Sequence, residues 1–192
     1  MNFEIIKTGI EGLIHIKSKV FGDDRGYFFE SYNQKTLREL GFDKIFVQDN
    51  ESKSKKGVLR GLHFQTKHTQ GKLVRCTFGK VLDIAVDLRK NSSTYGKWES
   101  AILDSDEKNM FYVPEGFAHG FLVLSDEAVF NYKCTDYYAP EYDGGIRWND
   151  PMLNIDWKLE EYGIKDLIVS EKDKNLPLLS EINIEFESDL RL

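Results

Sequence analysis

The chain is divided into many short segments typical of β-strands, and this pattern limits its fold more than any other feature. Ten segments of four to eight residues are rich in Val, Ile, Phe and Tyr and are bounded by Gly, Asp, Asn or Ser. They cover residues 12–16, 27–32, 45–48, 57–64, 72–78, 81–88, 98–103, 110–113, 119–124 and 128–134. Because long helical segments do not separate them, the sequence predicts an all-β, jelly-roll-like sandwich or barrel with a few short peripheral helices.

The strand at 81–88 shows a regular alternation that predicts two distinct faces. One face carries Leu82, Ile84, Val86 and Leu88, and the other carries Val81, Asp83, Ala85 and Asp87. The preceding residues, 78–81, predict a tight hairpin connection through Gly79.

Two stretches favour helix over strand. Residues 33–40 begin with Asn33 as a helix cap, carry Leu at helical spacing and are followed by Gly41, so they predict a short helix. A helical turn is expected at 157–162, and the sequence SEKDKNLP after it is interpreted as a polar loop in a helical and loop tail, 157–192.

Length and composition limit the class of protein. A chain of 192 residues with 41% hydrophobic and 13% aromatic residues is interpreted as a single domain, 1–192, with one core. Its formal net charge of −6 argues against nucleic acid or an anionic membrane as a partner, since both attract a broad basic surface. Cys76 and Cys134 are isolated and have no CxxC spacing, which favours buried reduced thiols in a cytoplasmic protein.

Two of the four histidines lie in segments that can carry chemistry. His63 stands in the strand sequence VLRGLHFQ, and His119 ends the sequence PEGFAHG between two strands. His15 and His68 are expected to be structural or solvated. The form PxGxxH at His119 resembles the second motif of the cupin superfamily. Gln65 stands where the first motif of metal-binding cupins has its second His, so a metal site is not expected.

Five sequences in one order extend this likeness. They are VLRGLHFQ, QGKLVRC, VPEGFAHGF, NYKCTDYYAP and IRWNDP. Together with the flanking FGDDRG and SEKD, they resemble the dTDP-4-dehydrorhamnose 3,5-epimerase family, a metal-free branch of the cupins. The resemblance runs from about Val20 to Asp173. It implies an epimerase of dTDP-rhamnose biosynthesis that inverts positions 3 and 5 of dTDP-4-dehydro-6-deoxy-D-glucose through enolates, with no cofactor.

The resemblance also implies the catalytic residues. His63 is the expected base, and Asp173 is the carboxylate paired with it. Tyr132 is the expected proton donor, because a phenol keeps its proton at pH 7. Lys72 is the expected cation beside the enolate oxygen. Read without the resemblance, each of these residues is more simply a core or surface side chain.

The remaining matches concern substrate binding. Arg25, Arg60 and Lys172 are expected at the diphosphate, where the paired donors of Arg suit phosphate oxygens. Glu30, Gln48 and Asn50 are expected to hydrogen-bond the base or sugar, and His119 to contact the sugar nucleotide or support the base. Tyr138 and Phe28, the latter from a partner subunit of a homodimer, are expected to stack on thymine.

Two positions depart from this pattern. Asp143 stands where the family commonly has Glu, which is longer by one methylene. Strict alternation places Arg60 and His63 on opposite faces of their strand. Either a bulge at Gly61 redirects the strand, or Arg60 binds another part of the ligand.

Three alternative functions are open at this point. The first is an epimerase that inverts only position 3 or position 5 of another nucleotide sugar. The second is a sugar-nucleotide-binding module without catalysis, and the third is a metal-dependent cupin oxygenase. The homodimer is expected to form through N-terminal strands that carry the aromatic run at 27–29, and the tail at 181–192 is expected to be loose.

Overall fold

The structure is a computed structural model that describes residues 2–184 and residue 186. It is built mainly from fourteen strands, with two short helices and two 3-10 turns among the described residues. The strands are β1 (Phe3–Lys7), β2 (Ile14–Ser18), β3 (Phe21–Asp23), β4 (Gly26–Phe28), β5 (Gln48–Lys55), β6 (Val58–Gln65), β7 (Lys72–Phe78), β8 (Lys80–Asp87), β9 (Trp98–Asp104), β10 (Asn109–Val113), β11 (Phe117–Val123), β12 (Glu127–Cys134), β13 (Asp143–Gly145) and β14 (Ile168–Val169). The helices are α1 (Gln34–Glu39) and α2 (Glu171–Lys174), and the 3-10 turns are Pro140–Tyr142 and Leu179–Glu181.

Two sheets form the body of the fold. The first sheet has the order β1-β2-β10-β7-β12-β5, and the second has the order β13-β6-β11-β8-β9. Neighbouring strands on these paths are antiparallel, and β14 adds to β6 in parallel. The expected all-β jelly roll is therefore confirmed.

The main core lies between the two sheets. Val74, Phe111 and Phe130 of the first sheet pack in one cluster with Ala85 and Phe121 of the second. Burying such side chains contributes about 1.5–3 kcal/mol each relative to leaving them exposed. This shared cluster holds the sheets face to face.

The second sheet is buried on both faces, as the alternation in β8 indicates. Leu82, Ile84, Val86 and Leu88 contact the outer cluster, whereas Val81 and Ala85 contact the core between the sheets. The outer cluster is covered by the C-terminal third of the chain, through Ile146, Leu153, Trp157, Ile164, Leu179 and Ile184. The tail packs on the sheet as far as Phe186, whose ring lies 6.0 Å from that of Phe64. The rest of the tail predicted as loose lies outside the described residues.

Several local predictions need correction. The strand expected at 27–32 ends at Phe28, and that expected at 45–48 begins only at Gln48 and continues to Lys55. Its polar sequence, QDNESKSK, hides an edge strand because exposed edges carry polar side chains. Residues 159–163 form turns rather than helix, and the expected polar loop contains α2, which Ser170 caps. The helix at 33–40 is confirmed as α1 with Asn33 as its cap.

A β-bulge redirects β6 beside Gly61. His63 pairs with His119 and Arg60 pairs with Phe121, so two residues of β6 stand opposite the single residue Gly120 of β11. The extra residue turns both Arg60 and His63 toward the same cavity, although strict alternation would place them on opposite faces of the strand.

The hairpin β3–β4 stands apart from both sheets. All eight residues from Phe21 to Phe28 are exposed, with Tyr27 at 61% and Phe28 at 68%. The ammonium group of Lys108 lies 4.1 Å from the ring centre of Tyr27 and holds the base of the hairpin by a cation–π contact. The strands before it, β1 and β2, belong to the chain's own first sheet.

Within residues 2–184 and 186, no helix has the length and apolar character needed to cross a bilayer.

We predict that Gly61→Ala lowers the free energy of unfolding by about 2–4 kcal/mol. Gly61 has φ +121°, and an added Cβ would lie 2.6 Å from the Gly120 Cα and 2.8 Å from the His119 carbonyl oxygen. Urea unfolding monitored by tryptophan fluorescence measures the effect. Gly9→Ala is the matched control, because nothing lies within 4 Å of its added Cβ. Equal stability of the two variants would contradict the prediction.

Candidate active site

A cavity of about 510 Å³ opens between the two sheets. The first sheet contributes Lys72 and Tyr132, and the second contributes Arg60, His63 and His119. The segment around α2 closes one side with Ser170, Lys172 and Asp173. The four predicted catalytic residues therefore line one cavity, with the imidazole of His63 and the phenol of Tyr132 on facing sheets.

His63 is held by a buried carboxylate. Its Nε2 lies 2.7 Å from Oδ1 of Asp173, and Oδ2 of the same residue accepts a hydrogen bond from the Gly61 backbone N–H at 3.2 Å. Asp173 is 3% exposed, whereas the His63 side chain is 33% exposed toward the cavity. This contact fixes the ring orientation and leaves Nδ1 as the nitrogen that can exchange a proton with a ligand.

The carboxylate of Asp173 stays ionised in this setting. Burial acts to raise the pKa of Asp173, but hydrogen bonds from His63, Gly61 and Ser170 outweigh it and lower that pKa below its usual value. The Ser170 hydroxyl accepts from the Asp173 N–H at 3.1 Å and caps α2, which places the carboxylate.

Tyr132 and Lys72 stand on adjacent strands, β12 and β7. Burial raises the pKa of the half-buried Tyr132 phenol, so the group holds its proton at neutral pH. Burial also lowers the pKa of Lys72, which nearby Cys134, Asp143 and Asp83 act to raise. The phenol is thus available as an acid, and the Lys72 ammonium can stabilise a negative charge that develops beside it.

Behind the cavity lies a second buried pair, which the sequence interpretation missed. Both oxygens of Asp83 lie within 3.0 Å of His119 Nε2, and Asp83 is fully buried. Burial raises the pKa of this carboxyl, while the imidazole of His119 opposes the shift. A buried charge needs a partner, so Asp83, between Leu82 and Ile84 in a strand that is buried on both faces, was the sequence feature that could have indicated this pair.

The mouth of the cavity carries an ion pair. Asp143 and Lys172 are joined by a direct hydrogen-bonded contact between carboxylate and ammonium, which raises the pKa of Lys172. The hydroxyl of Tyr138 lies 3.5 Å from the same Asp143 oxygen. On the cavity wall, the Arg60 guanidinium donates to the Ser54 hydroxyl at 3.1–3.2 Å.

Seven predicted binding residues do not line the cavity of the single chain, namely Arg25, Phe28, Glu30, Gln48, Asn50, Tyr138 and Asp143. Arg25 and Phe28 lie on the exposed hairpin, where Arg25 pairs with Asp23. Glu30 accepts from Asn2 at 2.8 Å and from Asn33 at 3.0 Å. The side chain of Gln48 accepts from the Tyr138 backbone N–H at 2.9 Å and donates to Asn50 at 3.0 Å.

The side-chain amide of Gln65 is hydrogen-bonded to backbone groups. Its amide donates to the carbonyl of His68 at 2.6 Å and accepts from the Ala139 N–H at 2.9 Å. Over the described range, 2–184 with 186, no three His, Cys, Asp or Glu side chains gather in a way that could hold a metal ion.

The cavity can perform proton transfer at carbon. An imidazole on one wall can accept a proton from a carbon beside a carbonyl group, and a phenol on the facing wall can return one to the opposite face. A buried ammonium stabilises the negative charge that develops on the carbonyl oxygen between these steps.

Comparisons with known proteins agree with this chemistry. The family model described as dTDP-4-dehydrorhamnose 3,5-epimerase matches residues 7–181. The chain belongs to this family. The dTDP-4-dehydrorhamnose 3,5-epimerase of Methanothermobacter thermautotrophicus is 55% identical over 93% of this chain and 96% of its own length. The Escherichia coli enzyme of the same name is 52% identical over 93% of this chain and 95% of its own length.

A solved structure shows the same fold for a family member with ligand. The epimerase RmlC from Legionella pneumophila, in complex with dTDP-4-keto-L-rhamnose, is 49% identical and superposes with a TM-score of 0.89. The match covers 94% of this chain and 95% of that chain. As a member of the dTDP-4-dehydrorhamnose 3,5-epimerase family, the chain is an isomerase of the epimerase class, and the resemblance stated from its motifs is confirmed.

We predict that the stability added by Asp173 depends on pH. At pH 7, Asp173→Asn should lower the free energy of unfolding by about 1–3 kcal/mol, since charge-assisted hydrogen bonds are lost. The carboxyl group of an Asp in an unfolded chain has a pKa of about 3.9. Because the pKa of folded Asp173 is lower, its contribution is present above this value and is lost as pH falls through the folded-state pKa.

Chemical unfolding between pH 7 and pH 2.5 tests this prediction. The gap in unfolding free energy between the wild type and Asp173→Asn should narrow in the acid range. Asp126→Asn, at an exposed turn, serves as the control. A gap that stays constant down to the lowest pH would show that the ionised carboxylate does not stabilise the fold.

Proposed function

We propose that this enzyme converts dTDP-4-dehydro-6-deoxy-D-glucose into dTDP-4-dehydro-L-rhamnose by inverting carbons 3 and 5 of the sugar. The observation that carries the proposal is the hydrogen bond between His63 and buried Asp173, in the same cavity as Tyr132 and Lys72. Binding alone requires no oriented base and no acid on the facing wall, so this arrangement favours catalysis over a binding module.

The reaction needs two proton transfers at each carbon. His63 removes the proton from the carbon beside the C4 ketone, and the electron pair of the broken C–H bond moves to form an enolate. Lys72 stabilises the charge on the enolate oxygen. Tyr132 then gives its proton to the opposite face of the same carbon. Tyr132 regains a proton and His63 releases one to solvent before the second carbon reacts.

Asp173 serves this cycle through His63. Its carboxylate stabilises the imidazolium that forms when the proton is removed and keeps the ring oriented toward the sugar. Proton transfer by a positioned general base such as His63 contributes about 10²–10⁴-fold to the rate.

The remaining predicted residues bind the nucleotide in this proposal. Arg60 and Lys172, which both line the cavity, hold the diphosphate. Asp143 holds Lys172 through their ion pair, and His119 contacts the sugar nucleotide. Tyr138 stacks on the thymine, Arg25 binds the diphosphate, and Glu30, Gln48 and Asn50 hydrogen-bond the base or sugar.

We predict that the purified enzyme incorporates two carbon-bound deuterium atoms per sugar from heavy water, one at each inverted centre. His63→Ala should abolish this exchange. Mass spectrometry of the sugar nucleotide counts the deuterium atoms, and proton NMR assigns their positions.

His68→Ala is the matched control, because this imidazole is exposed and pairs with Asp136 away from the cavity. Exchange that persists in His63→Ala would remove His63 as the base. Incorporation of one deuterium atom in the wild type would instead identify a single-centre epimerase, and binding without exchange would identify a binding module.

We also propose that the enzyme is a homodimer in which the hairpin β3–β4 packs on the second subunit. The support is the exposure of Phe21, Tyr27 and Phe28 on a hairpin that neither sheet covers. In this arrangement Phe28 of the partner subunit reaches the nucleobase. The free thiols of Cys76 and Cys134 favour the cytoplasm as the location.

We predict that Phe28→Asp weakens the dimer, because a carboxylate replaces an apolar ring in the interface. Light scattering at several concentrations should give a dimer mass for the wild type and a shift toward the monomer for the variant. Phe78→Asp is the matched control, since this ring is 58% exposed but lies at the end of β7. A fully active monomeric wild type would refute the dimer.

A further inference from the structure

Three glutamines hold the backbone of one short segment at the mouth of the cavity. The segment 136–139 follows β12 and carries Tyr137 and Tyr138 outside helices and strands. Gln70 donates to the carbonyl of Asp136 at 2.9 Å. Gln65 donates to the carbonyl of Tyr137 at 3.3 Å and accepts from the N–H of Ala139 at 2.9 Å. Gln48 accepts from the N–H of Tyr138 at 2.9 Å.

These contacts tie the segment to both sheets. Gln48 is the first residue of β5 in the first sheet, and Gln65 is the last residue of β6 in the second. Gln70 lies in the connection that leads into β7. Each residue of the segment therefore gives one backbone group to a glutamine side chain, and the three glutamines reach it from different parts of the fold.

The backbone is fixed while the aromatic rings are exposed. Gln65 is only 5% exposed, whereas Tyr137 is 64% exposed and Tyr138 is 53% exposed. Exposed aromatic rings on a rigid backbone suit stacking on a flat partner. Ordering a loop when a ligand binds opposes affinity, so a segment ordered in advance binds more tightly.

Side-chain amides are well suited to this task. An amide carries both donors and an acceptor and can therefore pair with carbonyl and N–H groups alternately along a backbone. It is also neutral, so the contacts place no charge beside the diphosphate site formed by Lys172 and Arg60.

We infer that Gln48, Gln65 and Gln70 are positioning residues that fix Tyr138 for stacking on the nucleobase. This inference rests on the proposed function, because it requires a nucleotide ligand with its base at Tyr138.

Gln65→Met and Gln70→Met test the inference, because methionine keeps the length of the side chain but cannot make these hydrogen bonds. Calorimetric titration with dTDP should show binding weakened by about tenfold, the size of effect expected when stacking on one aromatic ring is impaired. Titration with inorganic pyrophosphate, which has no base, should give the same affinity as the wild type. In turnover the loss should fall on KM rather than on kcat.

Gln34→Met is the matched control, since Gln34 is exposed on α1 and should leave both affinities unchanged. A double-mutant cycle adds a second test. If Gln70 acts through Tyr138, then Gln70→Met combined with Tyr138→Ala should bind dTDP no more weakly than Tyr138→Ala alone. If Gln65→Met does not fold, the Gln70 variants and this cycle still decide the question.

The possible results distinguish failure of the positioning role from failure of the proposed function. Folded variants that bind dTDP as tightly as the wild type would overturn the positioning role alone. Equal losses for dTDP and pyrophosphate, or additive effects in the cycle, would also overturn it. A wild type that binds no dTDP would overturn the proposed function together with this inference.

Discussion

The arrangement of the cavity depends on the contacts that the carboxylate of Asp173 makes with His63 and Gly61. One oxygen contacts the proposed base, and the other accepts the backbone N–H of Gly61 at the bulge of β6. Leaving a buried carboxylate without such partners costs several kcal/mol, so the segment around α2 must dock on β6 in one way. The same docking closes one side of the cavity. The orientation of the proposed base and the docking of the segment around α2 are therefore both set by a single group.

The two facing sheets meet a second requirement of the proposed chemistry. Facing walls are required if one group removes a proton and another returns it to the opposite side of a carbon. A sandwich with polar residues on both inner faces provides such walls at strand positions that packing holds rigid. His63 and His119 stand opposite each other on β6 and β11, and Tyr132 and Lys72 come from the first sheet.

Sequence alone predicted much of the fold and of the site, for reasons that particular residues illustrate. The alternation in β8 is strong because both faces are apolar, and Asn33 gives a clear helix cap. The four catalytic candidates came from motifs, not from periodicity, and the structure brings them to one cavity. The strand β5 was hidden by its polar edge sequence. The Asp83 pair and Gln70 were missed because their partners, His119 and Asp136, lie 36 and 66 residues away in the sequence.

The distance along the chain between the two members of the proposed dyad has a consequence for how the protein matures. His63 and Asp173 are 110 residues apart, and most contacts in the described part of the chain join distant segments. Chains with such non-local topology fold slowly, because ordering entropy must be overcome before distant contacts form. During synthesis the dyad is assembled only after Asp173, 110 residues beyond His63, has emerged. Chemical competence therefore arises only when the segment around α2 has docked on β6.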